Sequence, residues 1–261
     1  MNRIDDHFQK DTKSLIVFFT AGDPNLDKTK EYILNAEKAG ADVVEIGIPF
    51  SDPLAEGPVI QEANIRAMSR NIKVDDIFAM IEEVRKETDI PLVFLTYMNP
   101  VFFYGYDAFF KQCKKVGIDG IIMPDLPFES HTEIKDYTTN YDVKLISLIA
   151  PTSKKRIKAI ASKSEGFVYA VSSLGVTGVR QEITTDIESL VSEIKKYTKT
   201  KVAVGFGISR PDQVKEYSAY ADGCIVGSAI VKLVEKHKSN ANTYLEEYIS
   251  ELKQAMDYGG S

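Results

Sequence analysis

Leu15-Ile16-Val17-Phe18-Phe19 is an apolar run of strand length, and Thr20-Ala21-Gly22-Asp23-Pro24 turns the chain directly after it. That turn holds no Gly-x-Gly-x-x-Gly, the loop that opens a dinucleotide-binding open sheet. Outward from this stretch, short β-branched runs alternate with helix-length amphipathic ones to the end of the chain. Strands are expected at Leu15 to Phe19, Asp42 to Ile46, Pro91 to Leu95, Gly120 to Met123, Lys144 to Leu148, Phe167 to Ala170, Val202 to Val204 and Gly223 to Val226. Each is apolar without strict alternation, as strands covered on both faces are. Helices are expected between them, at Leu26 to Ala39, Pro58 to Arg70, Val74 to Thr88, Tyr106 to Val116, Ser130 to Tyr141, Lys154 to Ser162, Thr185 to Tyr197, Pro211 to Tyr217 and from Ala229 onward. Unbroken βα alternation implies a parallel sheet, and nothing marks a reversal of strand order. The expected fold is therefore α/β, a (β/α)8 TIM barrel forming a single domain over residues 1–261, with an extra helix at Arg3 to Gln9. The length of 261 residues fits the roughly 250 typical of that barrel. Gly40-Ala41-Asp42, Gly117-Ile118-Asp119 and Tyr220-Ala221-Asp222 each precede a strand and read as a repeated helix-to-strand turn.

A formal charge of −6 disfavours a nucleic-acid partner, since phosphate-backbone binding depends on clustered Lys and Arg. Lys154, Lys155 and Arg156 read as a solvated helix face. The apolar runs are far shorter than the roughly 18 residues of a membrane span, and Asp5 and Asp6 interrupt the place where a secretory signal needs an apolar core. A cytoplasmic location with no membrane partner is expected. Cys113 and Cys224 stand without partners at metal-ligand spacing and read as buried thiols.

Chemistry in such a barrel sits where strands end and loops begin. Gly205-Phe206-Gly207 after strand seven and Gly227-Ser228 after strand eight together form a phosphate cradle, in which backbone N–H groups and a helix start face the anion. Any one of these glycines alone would read as a tight turn. Gly178, in the long loop after strand six, is a fourth contributor. Glu45 stands in the otherwise apolar Val43-Val44-Glu45-Ile46-Gly47. A structural acid there would need a partner, whereas an apolar pocket would raise its pKa into a range useful for proton transfer, and the catalytic reading is favoured. Glu56 either swings a second carboxylate over the same mouth or stabilises a helix start from the surface. His7, His131 and His237 fall in expected helices, away from the rim, so no metal is expected. Lys144 and Lys201 begin their strands at the opposite face, which argues against a Schiff-base lysine. Acid–base chemistry remains, on a substrate with a phosphate tail and an apolar head near Phe18, Leu95, Tyr97 and Phe206.

The run from Glu45 through Ile46-Gly47-Ile48-Pro49-Phe50-Ser51-Asp52-Pro53-Leu54-Ala55 to Glu56-Gly57-Pro58 resembles the signature of the tryptophan synthase alpha chain family. Thr20 to Pro24, Thr96 to Pro100, Pro124 to Pro127, Ser172 to Gly178, Val204 to Ile208 and Val226 to Val231 fit the same family in order, so the resemblance covers nearly the whole chain. It implies retro-aldol cleavage of indole-3-glycerol phosphate to indole and glyceraldehyde 3-phosphate, with indole passing to a beta chain. It also implies Glu45 as the acid–base group, and Glu56 as the carboxylate that holds the indole N–H. The family's usual residue at that second position is Asp, so the chain departs from the pattern there. By the same resemblance Tyr169 lies beside Glu45, Phe18 and Leu95 sandwich the indole, and Thr177 belongs to a lid. Gly178, Gly207, Gly227 and Ser228 would bind phosphate. Asp52 and Pro53 would touch the beta chain in an alpha2beta2 heterotetramer, and pyridoxal phosphate would be carried by that partner and not by this chain. Two rivals remain: another phosphosugar barrel enzyme, such as an isomerase or epimerase, and a catalytically silent barrel that only regulates a partner.

Overall fold

Parallel strands buried on both faces need a neighbour at each edge, and the chain meets that need by closing its sheet. The structure, a computed structural model, describes residues 2–153, 155–171, 187–205 and 207–257. Among them nine parallel strands form one sheet: β1 Ser14–Thr20, β2 Val43–Gly47, β3 Leu92–Leu95, β4 Gly120–Ile122, β5 Lys144–Leu145, β6 Ser147–Ile149, β7 Phe167–Val171, β8 Lys201–Gly205 and β9 Gly223–Val226. The order is β5-β4-β3-β2-β1-β9-β8-β7-β6. β5 and β6 are one stave in two pieces. The first piece pairs with β4 and the second with β7, and between them the Ile146 N–H donates to the Ile121 carbonyl at 2.9 Å. The eight expected strands are thus the eight staves of a (β/α)8 barrel, the fifth of them changing partner at its middle.

Helices cover the outside. Leu15, Val17 and Phe19 of β1 point to that outer layer, while Ile16 packs inside the barrel with Val43, Val93 and Ile225. The N-terminal helix Arg3–Phe8 closes the floor of the barrel by inserting Ile4 and Phe8 into the inner cluster. Four details differ from expectation. The helix expected from Lys154 to Ser162 is shorter, Ile157–Ala161, so that Lys155 and Arg156 stand in a turn before it and not on a helix face. The stretch expected as one helix from Ser130 to Tyr141 is a 3-10 turn, Phe128–Glu133, followed by a short helix, Lys135–Asn140. The C-terminal helical region is two helices, Ser228–His237 and Ala241–Asp257. A helix also forms at Met98–Tyr104, where a rim loop was expected. Pro100 is tolerated because it sits in the first turn, where N–H groups lack intrahelical acceptors. The Asp125 carboxylate accepts the Met98 N–H that opens that helix, at 3.0 Å.

The repeated turn before β2, β4 and β9 has a physical role at the N-terminal end of the barrel. Asp42 accepts the Leu15 N–H at 2.7 Å, Asp119 accepts the Leu92 N–H at 2.9 Å, and Asp222 accepts the Val202 N–H at 2.8 Å. Each carboxylate therefore caps the start of a neighbouring stave, whose N–H would otherwise lack a partner. Each is also paired with a cation: Asp42 with Lys253, Asp119 with Arg85 and Arg3, and Asp222 with Lys195. Lys144 and Lys201 lie at this same end, ion-paired with Asp5 and Asp11. The Arg85–Asp119 pair is the most deeply buried of these, at 2.8 Å. Asp119→Ala should cost about 3–5 kcal/mol in urea unfolding, because it strands a buried guanidinium and the Leu92 N–H together. A loss below 1 kcal/mol, the range of exposed pairs, would refute the stapling role.

Candidate active site

Alternation along the staves aims side chains of β1, β2, β3 and β7 toward the interior of the barrel. β1 supplies Phe18, and its register partner on β2 is Glu45. Leu95 ends β3 and packs against Phe18, Ala63 and Val231. Tyr169 faces inward from the middle of β7. Two of these rings sit over strand glycines that leave them room. A Cβ on Gly47 would lie 2.6 Å from the Phe18 ring, and one on Gly205 would lie 2.5 Å from the Tyr169 hydroxyl. Gly205 therefore belongs to the wall of the site, as the last residue of β8, and its lack of a side chain serves Tyr169.

Glu45 is 2% exposed. Removal from water pushes its carboxyl up to about 8, and the charge of Glu56 pushes the same way. Among the described residues no cation offsets either effect. Burial therefore favours the protonated form of the Glu45 carboxyl. The Tyr169 phenol beside it is held well above its ordinary value, first by burial and then by Glu45.

Glu56 is 8% exposed, which removes the reading of it as a surface acid at a helix start. Asn64 donates to its Oε2 at 2.6 Å, and the Tyr97 phenol bonds the same carboxylate. Gln61 donates to the Glu56 backbone carbonyl at 2.8 Å, and the Ala55 N–H donates to the Tyr97 hydroxyl at 3.4 Å. Burial pushes the Glu56 carboxyl up, while Asn64 and Tyr97 favour its charged form. The two carboxyls, both raised by burial, differ in their surroundings: Asn64 and Tyr97 favour the charged form of Glu56, and the charge of Glu56 disfavours that of Glu45. Asn64 and Tyr97 were not identified from sequence as partners of Glu56. The signal for Asn64 was available, since it is a polar residue on the buried face formed by Ala63, Asn64 and Ala67 of the helix Pro58–Met68.

Gly207 follows β8 with φ +79, and a Cβ there would meet nothing within 4 Å. Gly227 precedes the helix that begins at Ser228, so the start of that helix opens on the same rim. Thr177, Gly178 and Phe206 lie outside the described residues. Among the described residues no group of three or more His, Cys, Asp or Glu is placed to hold a metal. No described helix is long and apolar enough to cross a membrane.

Comparison with known proteins gives one consistent family. A family model described as tryptophan synthase alpha chain matches residues 4–258. The tryptophan synthase alpha chain of Thermoanaerobacter sp. (strain X514) is 46% identical over 262 residues, covering 98% of this chain and all of that one. That of Lacticaseibacillus casei is also 46% identical, with 98% and 96% covered. Among solved structures, the tryptophan synthase alpha chain of Legionella pneumophila superimposes with a TM-score of 0.89 at 33% identity, covering 100% of this chain and 99% of that one. A chain from the tryptophan synthase α2β2 complex of Pyrococcus furiosus gives 0.86 at 36% identity, with 93% and 99% covered.

The state of Glu45 has a measurable consequence for stability. Its folded value of about 8 lies above its unfolded value, so the stability gained from the protonated form is complete in acid and is lost as pH rises through about 8. Glu45→Gln, which cannot ionise, should melt close to the wild type near the unfolded carboxyl value of about 4.3 and increasingly above it up to about pH 8, where the gap levels off. Parallel melting curves from acid to alkaline pH would show that Glu45 is not held protonated.

Proposed function

The chain belongs to the tryptophan synthase alpha chain family, and from that premise we propose that its rim is a lyase site for the retro-aldol cleavage of indole-3-glycerol phosphate. The observation that carries the assignment is the pair of buried carboxylates in opposed hydrogen-bond surroundings, a pairing that divides acid and anion roles between two like residues. Protonated Glu45 donates its proton to indole C3, which places positive charge on the ring nitrogen. The Glu56 carboxylate accepts the ring N–H and stabilises that charge. Glu45, now a carboxylate, takes the proton of the glycerol hydroxyl next to the scissile bond. The bond between indole C3 and that carbon breaks, and its electron pair restores the aromatic ring. Indole and glyceraldehyde 3-phosphate leave, and Glu45 is protonated again. No net proton is consumed.

Phe18 and Leu95 supply the apolar walls for the indole, and Tyr169 flanks Glu45. Gly207, Gly227 and Ser228 hold the phosphate through backbone N–H groups and a hydroxyl at a helix start, with Gly178 and Thr177 assigned to the loop after β7. Pyridoxal phosphate belongs, in this reading, to a beta chain that receives the indole in an alpha2beta2 assembly, in the cytoplasm. A surface for that partner is present on the rim. Loop two, with Asp52, Pro53 and Leu54, packs beside the Tyr97 segment, where the Phe50 and Tyr97 rings are 5.3 Å apart. Leu54 is 79% exposed and Phe103 is 81% exposed, with Phe102 next to it. Large apolar side chains so exposed at one rim fit a partner's docking face.

Steady-state assay of indole release tests the chemistry. Glu45→Gln should lower kcat at least about a hundredfold with folding intact, since it keeps size but removes acid–base capacity. Glu56→Ala should collapse kcat as well, whereas Glu56→Asp should retain substantial activity. An active Glu45→Gln, or wild-type turnover in Glu56→Ala, would overturn the two-carboxylate mechanism; no indole release from the wild type, with or without beta chain, would favour the silent barrel. For the docking face, Phe103→Asp should weaken binding to a family beta chain by about tenfold or more and leave the chain's own cleavage rate unchanged. Unaltered affinity would remove Phe103 from the interface.

A further inference from the structure

Glu56 ends an irregular loop, and the backbone there does not by itself fix a carboxylate. Beside Tyr97, which bonds the carboxylate from the segment after β3, Asn64 holds the carboxylate and Gln61 the backbone carbonyl from the helix Pro58–Met68, so a shift of that helix moves the carboxylate. The helix has a weak seat of its own. Gly57 at its start makes no side-chain cap, and its apolar footing on Phe18 and Val231 runs through Ala63 with Val59 and Ile60. Apolar contact of this kind has no direction, and a small residue such as Ala63 permits sliding.

Direction comes from Arg66. Its Nε and one terminal nitrogen fork onto the Asp23 carboxylate at 3.0 and 2.7 Å, and its other terminal nitrogen reaches Glu235 at 3.1 Å. Asp23 is 5% exposed and sits in the turn that leaves β1, where its N–H bonds the Thr20 carbonyl and the preceding Gly22 N–H bonds the Thr29 hydroxyl. Glu235 lies on the helix Ser228–His237, whose start is the proposed phosphate site. A bidentate guanidinium–carboxylate pair fixes both distance and angle, which a lysine or an apolar contact cannot do.

We propose that Arg66 is a positioning residue for the cleavage reaction: its fork on Asp23 and its bond to Glu235 set the register of the helix Pro58–Met68 and, through Asn64, the position of the Glu56 carboxylate against the indole ring. The proposal rests on the two-carboxylate reading above. It assigns Arg66 no contact with substrate.

The test is a double-mutant cycle read by steady-state cleavage of indole-3-glycerol phosphate, with Arg66→Ala and Asp23→Asn each made alone and in the Glu56→Ala background, and a thermal melt for every variant. In the wild-type background each substitution should lower kcat about ten- to a hundredfold with KM changed less than about threefold, as a misplacement of near an ångström does. In the Glu56→Ala background the same substitutions should leave the residual kcat unchanged within about twofold, because the carboxylate they position is gone. Arg66→Lys, which keeps the charge without the fork, should resemble Arg66→Ala in kcat; it and Asp23→Asn carry the test if Arg66→Ala does not fold. Equal losses in both backgrounds would make Arg66 a general prop of the barrel, and no loss in either would make the fork an ordinary surface ion pair; both overturn the proposal. Wild-type turnover in Glu56→Ala alone would defeat the underlying reading, and the proposal with it, and is recognised from that single variant.

Discussion

A carboxylic acid shut away from water, with no cation beside it among the described residues, is the constraint around which the barrel mouth is built. Glu45 would ionise in water at neutral pH, and its burial on β2 prevents this. A buried carboxyl of this kind is tolerated in its protonated form, which carries no charge to desolvate. The protonated form is favoured by the apolar wall to which Phe18, Leu95 and the ring of Tyr169 belong. The same burial makes the ionised form a stronger base than a carboxylate in water.

The two ends of the barrel handle carboxylates in contrasting ways. At the N-terminal end Asp42, Asp119 and Asp222 each receive a backbone N–H and a cation, and each thereby fixes the start of a stave. At the C-terminal end Glu45 receives neither among the described residues, and Glu56 receives only neutral donors. The same functional group is thus paired with a cation at one end and, among the described residues, held without one at the other.

The sequence disclosed what depends on local pattern. β9 was expected at Gly223 to Val226 and is found at those residues, and the carboxylate of Glu45 stood out because it interrupts an apolar run. The features it hid depend on neighbours distant in the chain. Ile146 ends one strand pairing and begins another, a choice made by β4 and β7 and invisible within Lys144 to Leu148. Pro100 disguised the helix Met98–Tyr104, whose first N–H is satisfied by Asp125 from the next loop. Tyr97 read as part of an apolar lining, since nothing local told that its hydroxyl would find Glu56. Glu56 itself kept two readings until burial separated them. For Thr177, Gly178 and Phe206 only the sequence reading stands.

The close approach of rings to strand glycines has a consequence for how this site can change through descent. Phe18 occupies the volume that a side chain on Gly47 would take, and Tyr169 does the same at Gly205. Each pair divides a fixed space between a large residue and none. Neither member can drift alone, because a larger residue at the glycine collides with the ring and a smaller ring leaves a void. Each pair therefore behaves as a single inherited unit, and across related sequences a side chain gained at position 47 or 205 should be accompanied by a smaller residue at position 18 or 169.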